Sequence, residues 1–330
     1  MTDALFLRSD EVAGLATAGE FVAAVRDAYR QRGEGAPAEP RTALKGSDPP
    51  GLFTTYAAVL PDTGAMGGYM YAAGFGERDA WFVTPLFDSE TGEPLAVLDG
   101  AHMNPFKTGA VGAVGVDALA RADASTLALI GSGTQARGQL RATATVREFD
   151  TVWVYSRSKD RRERFAGEMD AELDASVAAV ASSAAAVEGA DVVITATNAR
   201  EPVFDGDLLD PGTHVTAMGQ YDPDKREIDH ATVERATYVL DLRARATRDA
   251  GAFISAVEAG VVDEDHVHAE LGEVLVGDAP GRRRADEVTV FDSGGTAIET
   301  VAGAHLLYER AVEAGLGEPI DFAPASEAMP

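Results

Sequence analysis

The chain has 330 residues, of which 45% are hydrophobic and 25% charged, and its 28 Lys+Arg against 54 Asp+Glu give a formal net charge of −26. That composition excludes a disordered or collagen-like chain. A field of that sign repels phosphate backbones and anionic headgroups, so nucleic acid and membrane surfaces are excluded as partners. With no cysteine, disulfides, thiol nucleophiles and thiolate metal sites are excluded too. The lysines are Lys45, Lys107, Lys159 and Lys225, and an acid excess with so few lysines is the pattern of a surface kept soluble in high salt. The first residues carry an acid where a signal peptide carries positive charge. No run approaches the ~20 apolar residues of a membrane span. A soluble cytoplasmic protein is expected, with about two domains at ~150 residues each.

In chain order, residues 8–31 open on Ser9-Asp10-Glu11 and place Val12, Leu15, Phe21, Val22, Val25 and Tyr29 near helical spacing, which predicts an amphipathic helix capped at its start. Residues 32–50 are Gly/Pro-rich and break it. From Leu52 to Leu98 short β-like runs (53–59, 67–73, 81–87 and 95–98) alternate with turn clusters, which predicts a mostly antiparallel sheet. A small-residue helix follows Asn104-Pro105 and runs through Leu119. Apolar strands then alternate with helical stretches: 126–130, 151–155, 176–180, 191–196, 214–218, 238–241 and 288–291. This alternation predicts a doubly wound parallel sheet. A helix from Ala297 to Ala314 and a Pro-rich tail close the chain and return to the first domain. The fold class expected is α/β, a Rossmann-like doubly wound parallel sheet domain (121–304) plus an α+β domain for substrate binding and dimerisation (1–120 with 305–330).

The strand at 126–130 runs into Gly131-Ser132-Gly133-Thr134-Gln135-Ala136 and then a helix. This is a G-x-G-x-x-A loop in strand-loop-helix context. Gly131 permits the tight turn and Gly133 lets the backbone approach a pyrophosphate over the helix N-terminus. The end of the next strand, where an adenosine ribose is met, reads Tyr155-Ser156-Arg157-Ser158-Lys159, with no acid before Asp160. Basic residues there suit a 2′-phosphate, so NADP(H) is expected, with NAD(H) as the alternative. Arg157 can equally be read as a surface residue that offsets the acidic field.

The order of motifs resembles the ornithine cyclodeaminase/μ-crystallin family across nearly the whole chain. The matching stretches are Pro40-Arg41, 88–96, Leu98-Asp99-Gly100, Lys107-Thr108-Gly109-Ala110, the loop at Gly131, Thr195-Ala196-Thr197-Asn198, Pro211-Gly212-Thr213-His214, Arg226-Glu227-Ile228-Asp229 and Phe291-Asp292-Ser293-Gly294-Gly295. The resemblance implies a homodimer, an active site in the cleft beside the nicotinamide, and chemistry on the Cα–N or C=N bond of a small amino or imino acid. It extends the cofactor set (Gly131, Ser132, Gly133, Thr134, Gln135, Ser156, Arg157, Ser158, Lys159) to Thr195, Ala196, Thr197, Met218, Ser293 and Gly294. It also implies a carboxylate grip of two arginines and a lysine. Arg41 matches the first arginine, but Tyr69 stands where the lysine falls and Lys107 where the second arginine falls. At the position of the cyclodeaminase aspartate stands Tyr221, with Asp222 beside it.

With those positions changed, an imine reductase or amino-acid dehydrogenase is expected. The alternatives are a cyclodeaminase using bound NAD and a non-catalytic ligand-binding protein. Arg41 can grip a carboxylate bidentately, whereas Lys107 offers a point charge. A Lys107 devoted to substrate predicts that its loss lowers activity and leaves stability unchanged. Tyr69, Tyr221 and Asp222 are the candidate proton donors, though packing explains either tyrosine as well. His266 and His268 lack a third ligand, so no metal is expected. The run Gly281-Arg282-Arg283-Arg284 reads as a solvated salt-bridging patch.

Overall fold

A computed structural model describes residues 2–75 and 79–328. Along the chain run β1 (Thr2–Leu7), α1 (Ala18–Gly33), β2 (Thr42–Ser47), β3 (Pro50–Leu60), β4 (Ala65–Ala73), β5 (Ala80–Asp88), β6 (Pro94–Asp99), α2 (Met103–Leu119), β7 (Thr126–Ile130), α3 (Thr134–Thr143), β8 (Thr151–Tyr155) and α4 (Lys159–Asp170). There follow β9 (Ser176–Ala179), α5 (Ser183–Val187), β10 (Val192–Thr195), β11 (His214–Ala217), α6 (His230–Arg235), β12 (Ala236–Leu240), α7 (Gly251–Glu258), β13 (Val267–Glu270), α8 (Leu271–Val276), β14 (Val288–Asp292), α9 (Ala297–Ala314), β15 (Glu318–Phe322) and α10 (Ala325–Ala328). Two compact units divide these elements: residues 1–107 with 296–330, and residues 108–295. The divisions fall at 107/108 and 295/296, where the sequence suggested 120/121 and 304/305.

The first unit is a mixed sheet in the order β15-β1-β6-β5-β4-β3-β2. Neighbours are antiparallel except β1 and β6. Alternation along β3 and β4 turns Tyr56, Ala58, Leu60, Tyr69 and Tyr71 inward, the period of two that a half-buried strand requires. Helix α9 packs along β3 and β4, and α1 packs on α9. The expected helix at 8–31 starts ten residues late. Thr17 caps α1 and pairs reciprocally with Glu20 in a capping box, while Ser9 is spent on long-range bonds to the Asp99 carbonyl and the His102 amide. Strand β2 lies inside the stretch read as a break. It is an edge strand exposed along its whole length, so no hydrophobic period marks it. Strands β1 and β15 at the sheet's other edge were not anticipated either.

The second unit is a fully parallel sheet in the order β13-β12-β14-β11-β10-β7-β8-β9, the doubly wound arrangement expected. One face buries Leu127, Leu129, Val152, Val154 and Ile194 with Leu140, Phe165 and Met169 of α3 and α4. The other buries Ala128, Ile130, Val193, Val215 and Val290 with Val233 and Phe253 of α6 and α7. The segment around His266 and His268 forms a short turn and then β13. Those imidazoles meet the carbonyls of Val233 and Pro280, and among the described residues no group of metal-ligating side chains assembles. Arg282, Arg283 and Arg284 pair locally with Glu287, Asp286 and backbone carbonyls. No helix among the described residues is long and apolar enough to cross a membrane.

Candidate functional site

Two constellations carry chemistry, one in each unit. In the mixed-sheet unit, Arg41 just before β2 and Lys107 in the first turns of α2 are both buried. Their cations flank the ring of Tyr56, the Arg41 guanidinium carbon 5.2 Å and Lys107 Nζ 6.0 Å from its centroid. Lys107 Nζ lies 4.8 Å from the centroid of Tyr69, and Arg41 Nη1 donates to Tyr71 Oη at 3.2 Å. Tyr69 stacks on Phe82 at 5.3 Å. Register explains the clustering, since Tyr56 on β3 is paired directly with Tyr69 on β4 and Tyr71 lies two residues along the same face. Cations over such rings gain most where water is excluded.

The charge of Lys107 has a partner that sequence reasoning missed. Its Nζ is 3.5 Å from Glu299 Oε1, with the two side chains 2% and 0% exposed. Glu299 also receives the Thr296 amide and hydroxyl and the Tyr29 hydroxyl. The Thr296-x-x-Glu299 spacing is a capping box, and that signal was legible, but its second use as a counter-ion was not. Tyr69 is buried, and among the described residues its hydroxyl has no hydrogen-bond partner. Burial, reinforced by Tyr56 and Tyr71, pushes its ionisation far above the ordinary phenol range.

In the parallel-sheet unit, Gly131 takes φ +138, and a Cβ there would lie 2.5 Å from the Ala196 carbonyl oxygen. Its amide donates to the Tyr155 carbonyl at 2.8 Å. Gly133 is the N-cap of α3, carries no side-chain cap, and faces open space. The first amides of α3 are thus left for an anion, at the turn after β7, where the strand order reverses between β7 and β10. Thr134 is exposed and Gln135 half-buried. The hydroxyls of Ser132 and Ser156 meet at 2.8 Å and tie this loop to the end of β8. Ser158 caps α4, and Arg157 and Lys159 are exposed, with Lys159 Nζ 3.7 Å from Glu163. Arg162, not singled out from sequence, donates to the Ser156 carbonyl at 2.9 Å.

The ends of β10 and β11 are held by one buried carboxylate. Glu227 accepts from Thr195 Oγ1 at 3.0 Å, the Thr197 amide at 2.6 Å and the Gly219 amide at 2.6 Å. Burial raises its pKa from 4.5 to about 7 against the pull of those donors. The Met218 amide donates to the Thr195 carbonyl, and the Ala196 carbonyl abuts Gly131. Ser293 departs from expectation: it is buried, and its hydroxyl donates to Asp241, so it points into the protein. Gly294 shares that carboxylate through its amide. Tyr221 is 37% exposed. Asp222 closes a turn onto the Asp224 amide and lies 3.9 Å from Lys225 Nζ.

Comparison with known proteins shows the family of the chain. Over 241 residues, 73% of this chain and 74% of the relative, the sequence is 36% identical to a Delta(1)-pyrroline-2-carboxylate reductase of Bacillus cereus. The solved structure of the Thermococcus litoralis Delta(1)-pyrroline-2-carboxylate reductase, in complex with NADH and L-proline, superposes with a TM-score of 0.91 at 33% identity, covering 96% of this chain and all of that one. An archaeal alanine dehydrogenase dimer with bound NAD superposes equally well, at 0.91 and 32% identity, covering 98% of this chain and 100% of that one. The family model of the ornithine cyclodeaminase/mu-crystallin family matches residues 3–315. The chain belongs to that family.

Proposed function

We propose that this chain is an NAD(P)H-dependent oxidoreductase that reduces the C=N bond of a small imino acid, working best with NADPH and as a homodimer. The observation that carries the reading is the burial of Arg41 and Lys107 among Tyr56, Tyr69 and Tyr71. A small carboxylate is the ligand such a cluster suits, since two cations and a fixed phenol donor can be shared by its two oxygens. The relatives' names supply the bond class: reductases of a cyclic imino acid and an alanine dehydrogenase act at a carbon bearing both nitrogen and carboxylate.

The Gly131–Ala136 cradle fits a dinucleotide, because a side chain at 131 would be blocked while the space before Gly133 and the uncapped amides of α3 are open. Gly131, Ser132 and Gly133 would hold the pyrophosphate, Ser156 and Ser158 the ribose, and Arg157 and Lys159 the 2′-phosphate. Thr195, Thr197 and Met218 stand at the strand ends that receive the nicotinamide half. When bound, the nicotinamide supplies the hydride. In the mixed-sheet unit Arg41 and Lys107 fix the carboxylate and Tyr69 donates a hydrogen bond without surrendering its proton, while the parallel-sheet unit offers Tyr221 and Asp222 as proton donors.

The homodimer rests on the outer face of the mixed sheet. Leu44, Phe53, Ala72 and Trp81 form one row in register across four strands, and Met70 and Val83 lie in the next row. Trp81 is 76% exposed. Such a contiguous apolar face marks an interface, and one similar protein is a dimer. Trp81→Glu should convert the dimer to monomer in sedimentation equilibrium, and a wild type that sediments as a monomer overturns this part of the reading.

The activity is tested by NADPH oxidation with Δ1-pyrroline-2-carboxylate, other cyclic ketimines, and pyruvate plus ammonia or methylamine, with NADH in parallel. Turnover of an imino acid is expected. Formation of proline with ammonia release from ornithine, or silence across the panel despite cofactor binding, would overturn the assignment.

A further inference from the structure

The parallel-sheet unit buries a charge cluster that the chemistry above does not use. Arg245, in the turn Arg243–Thr247 after β12, is 1% exposed. Its Nε donates to Asp249 Oδ1 at 2.6 Å, its Nη1 to Asp241 Oδ1 at 2.9 Å and to the Asp292 carbonyl at 3.2 Å, and its Nη2 to the Gln220 carbonyl at 3.4 Å. Asp241 spends its other oxygen on the Ser293 hydroxyl at 2.8 Å and on the Gly294 and Gly295 amides at 3.0 and 3.2 Å. Tyr238 Oη donates to Asp292 Oδ2 at 2.5 Å. One guanidinium therefore joins the loop leaving β11 directly, and the loop leaving β14 through a single carboxylate. The two are packed so closely that a Cβ on Gly294 would collide with Arg245 Nη2.

Stability alone does not call for this arrangement. Desolvating these ions is costly, and a well-packed apolar cluster of the same volume is often as stable or more so. What the ions add is direction. A planar fork reaches three carboxylates and two carbonyls at set angles, which an ammonium cannot do. Burial opposes the charge of Arg245, and Asp241, Asp249 and Asp292 outweigh it, so the fork does not titrate away.

We propose that Arg245 is a positioning residue that sets the spacing between the loops beginning at Gly219 and Ser293, at the C-terminal ends of the parallel strands, where the nicotinamide half of the dinucleotide would lie. The inference rests on the dinucleotide reading above. Its test compares the affinities of wild type, Arg245→Lys, Arg245→Gln and Gly294→Ala for NADPH and for 2′-phospho-ADP-ribose, which lacks only the nicotinamide, with melting temperatures alongside. Arg245→Gln and Gly294→Ala should weaken NADPH about tenfold, the worth of one charge-assisted hydrogen bond. 2′-Phospho-ADP-ribose should stay within about twofold, because the adenosine half is held at β7 and β8. Arg245→Lys should fall between. Gly294→Ala keeps every charge of the cluster and decides the matter should Arg245→Gln fail to fold. Equal losses for both ligands, or unchanged NADPH affinity in the folded variants, overturn the proposal. A wild type that binds neither ligand overturns the dinucleotide reading instead, so the two failures are distinguishable.

Discussion

On the proposed function, the two constellations would recognise their ligands by opposite means. In the mixed-sheet unit, recognition resides in side chains: Arg41 and Lys107 are buried among tyrosines, and Lys107 is balanced by a buried Glu299. In the parallel-sheet unit it resides in the backbone, with the amides of α3 left open behind two glycines and the exposed Arg157 and Lys159 added at the margin. A buried charge couples binding to folding, because removing one partner strands the other in a low dielectric. A backbone cradle with exposed charges does not. Substitutions in the first region should therefore disturb stability and activity together, and those at the second region's margin should touch affinity alone.

Lys107→Met tests this contrast most severely. It should lower kcat/KM about ten- to a hundredfold and, against the expectation from sequence, cost about 3 kcal/mol of stability by leaving Glu299 buried without its cation. Adding Glu299→Gln should restore most of the stability and none of the activity. A single variant that melts like wild type breaks the comparison.

The second test lies within the parallel-sheet unit, which holds its own buried carboxylate. Because the pKa of Glu227 is raised in the fold from 4.5 to about 7, the native state binds the extra proton. The stability Glu227 contributes is fully present below about pH 4.5 and is lost as pH rises through about 7. Relative to Glu227→Gln, wild type should lose about 3 kcal/mol across that window, as denaturant titration at several pH values would show. A constant difference would mean that the three donors hold the carboxylate ionised throughout.

Tyr69→Phe removes a buried hydroxyl that bonds no described residue, so melting should hold or rise. If that hydroxyl serves the substrate, kcat/KM should still drop about tenfold. Loss of stability without loss of activity would return Tyr69 to packing. The smallest effect is expected for Arg157→Asp, several-fold weaker NADPH binding with NADH scarcely changed. The difference should shrink as salt is raised, since an exposed charge is screened over about 10 Å at 0.1 M.

Much of this protein is determined by the sequence itself. The strands 126–130 and 151–155 and the helix 297–314 begin and end where the residue pattern places them, because buried parallel strands and capped helices declare themselves by local runs of apolar and capping residues. The G-x-G-x-x-A cradle is local for the same reason, since its geometry is a matter of φ angles and absent side chains. What only the tertiary structure decided is whatever depends on partners far apart in the chain. The start of α1 moved because Ser9 is claimed by Asp99 and His102. The edge strands β2 and β15, and β1 beside β15, exist by pairing and not by pattern. Lys107 meets Glu299 across 192 positions, and Arg245 meets Gln220 and Asp292 across 25 and 47. No period or spacing encodes those meetings, because a charge finds its partner in space only after the sheets that carry both have formed.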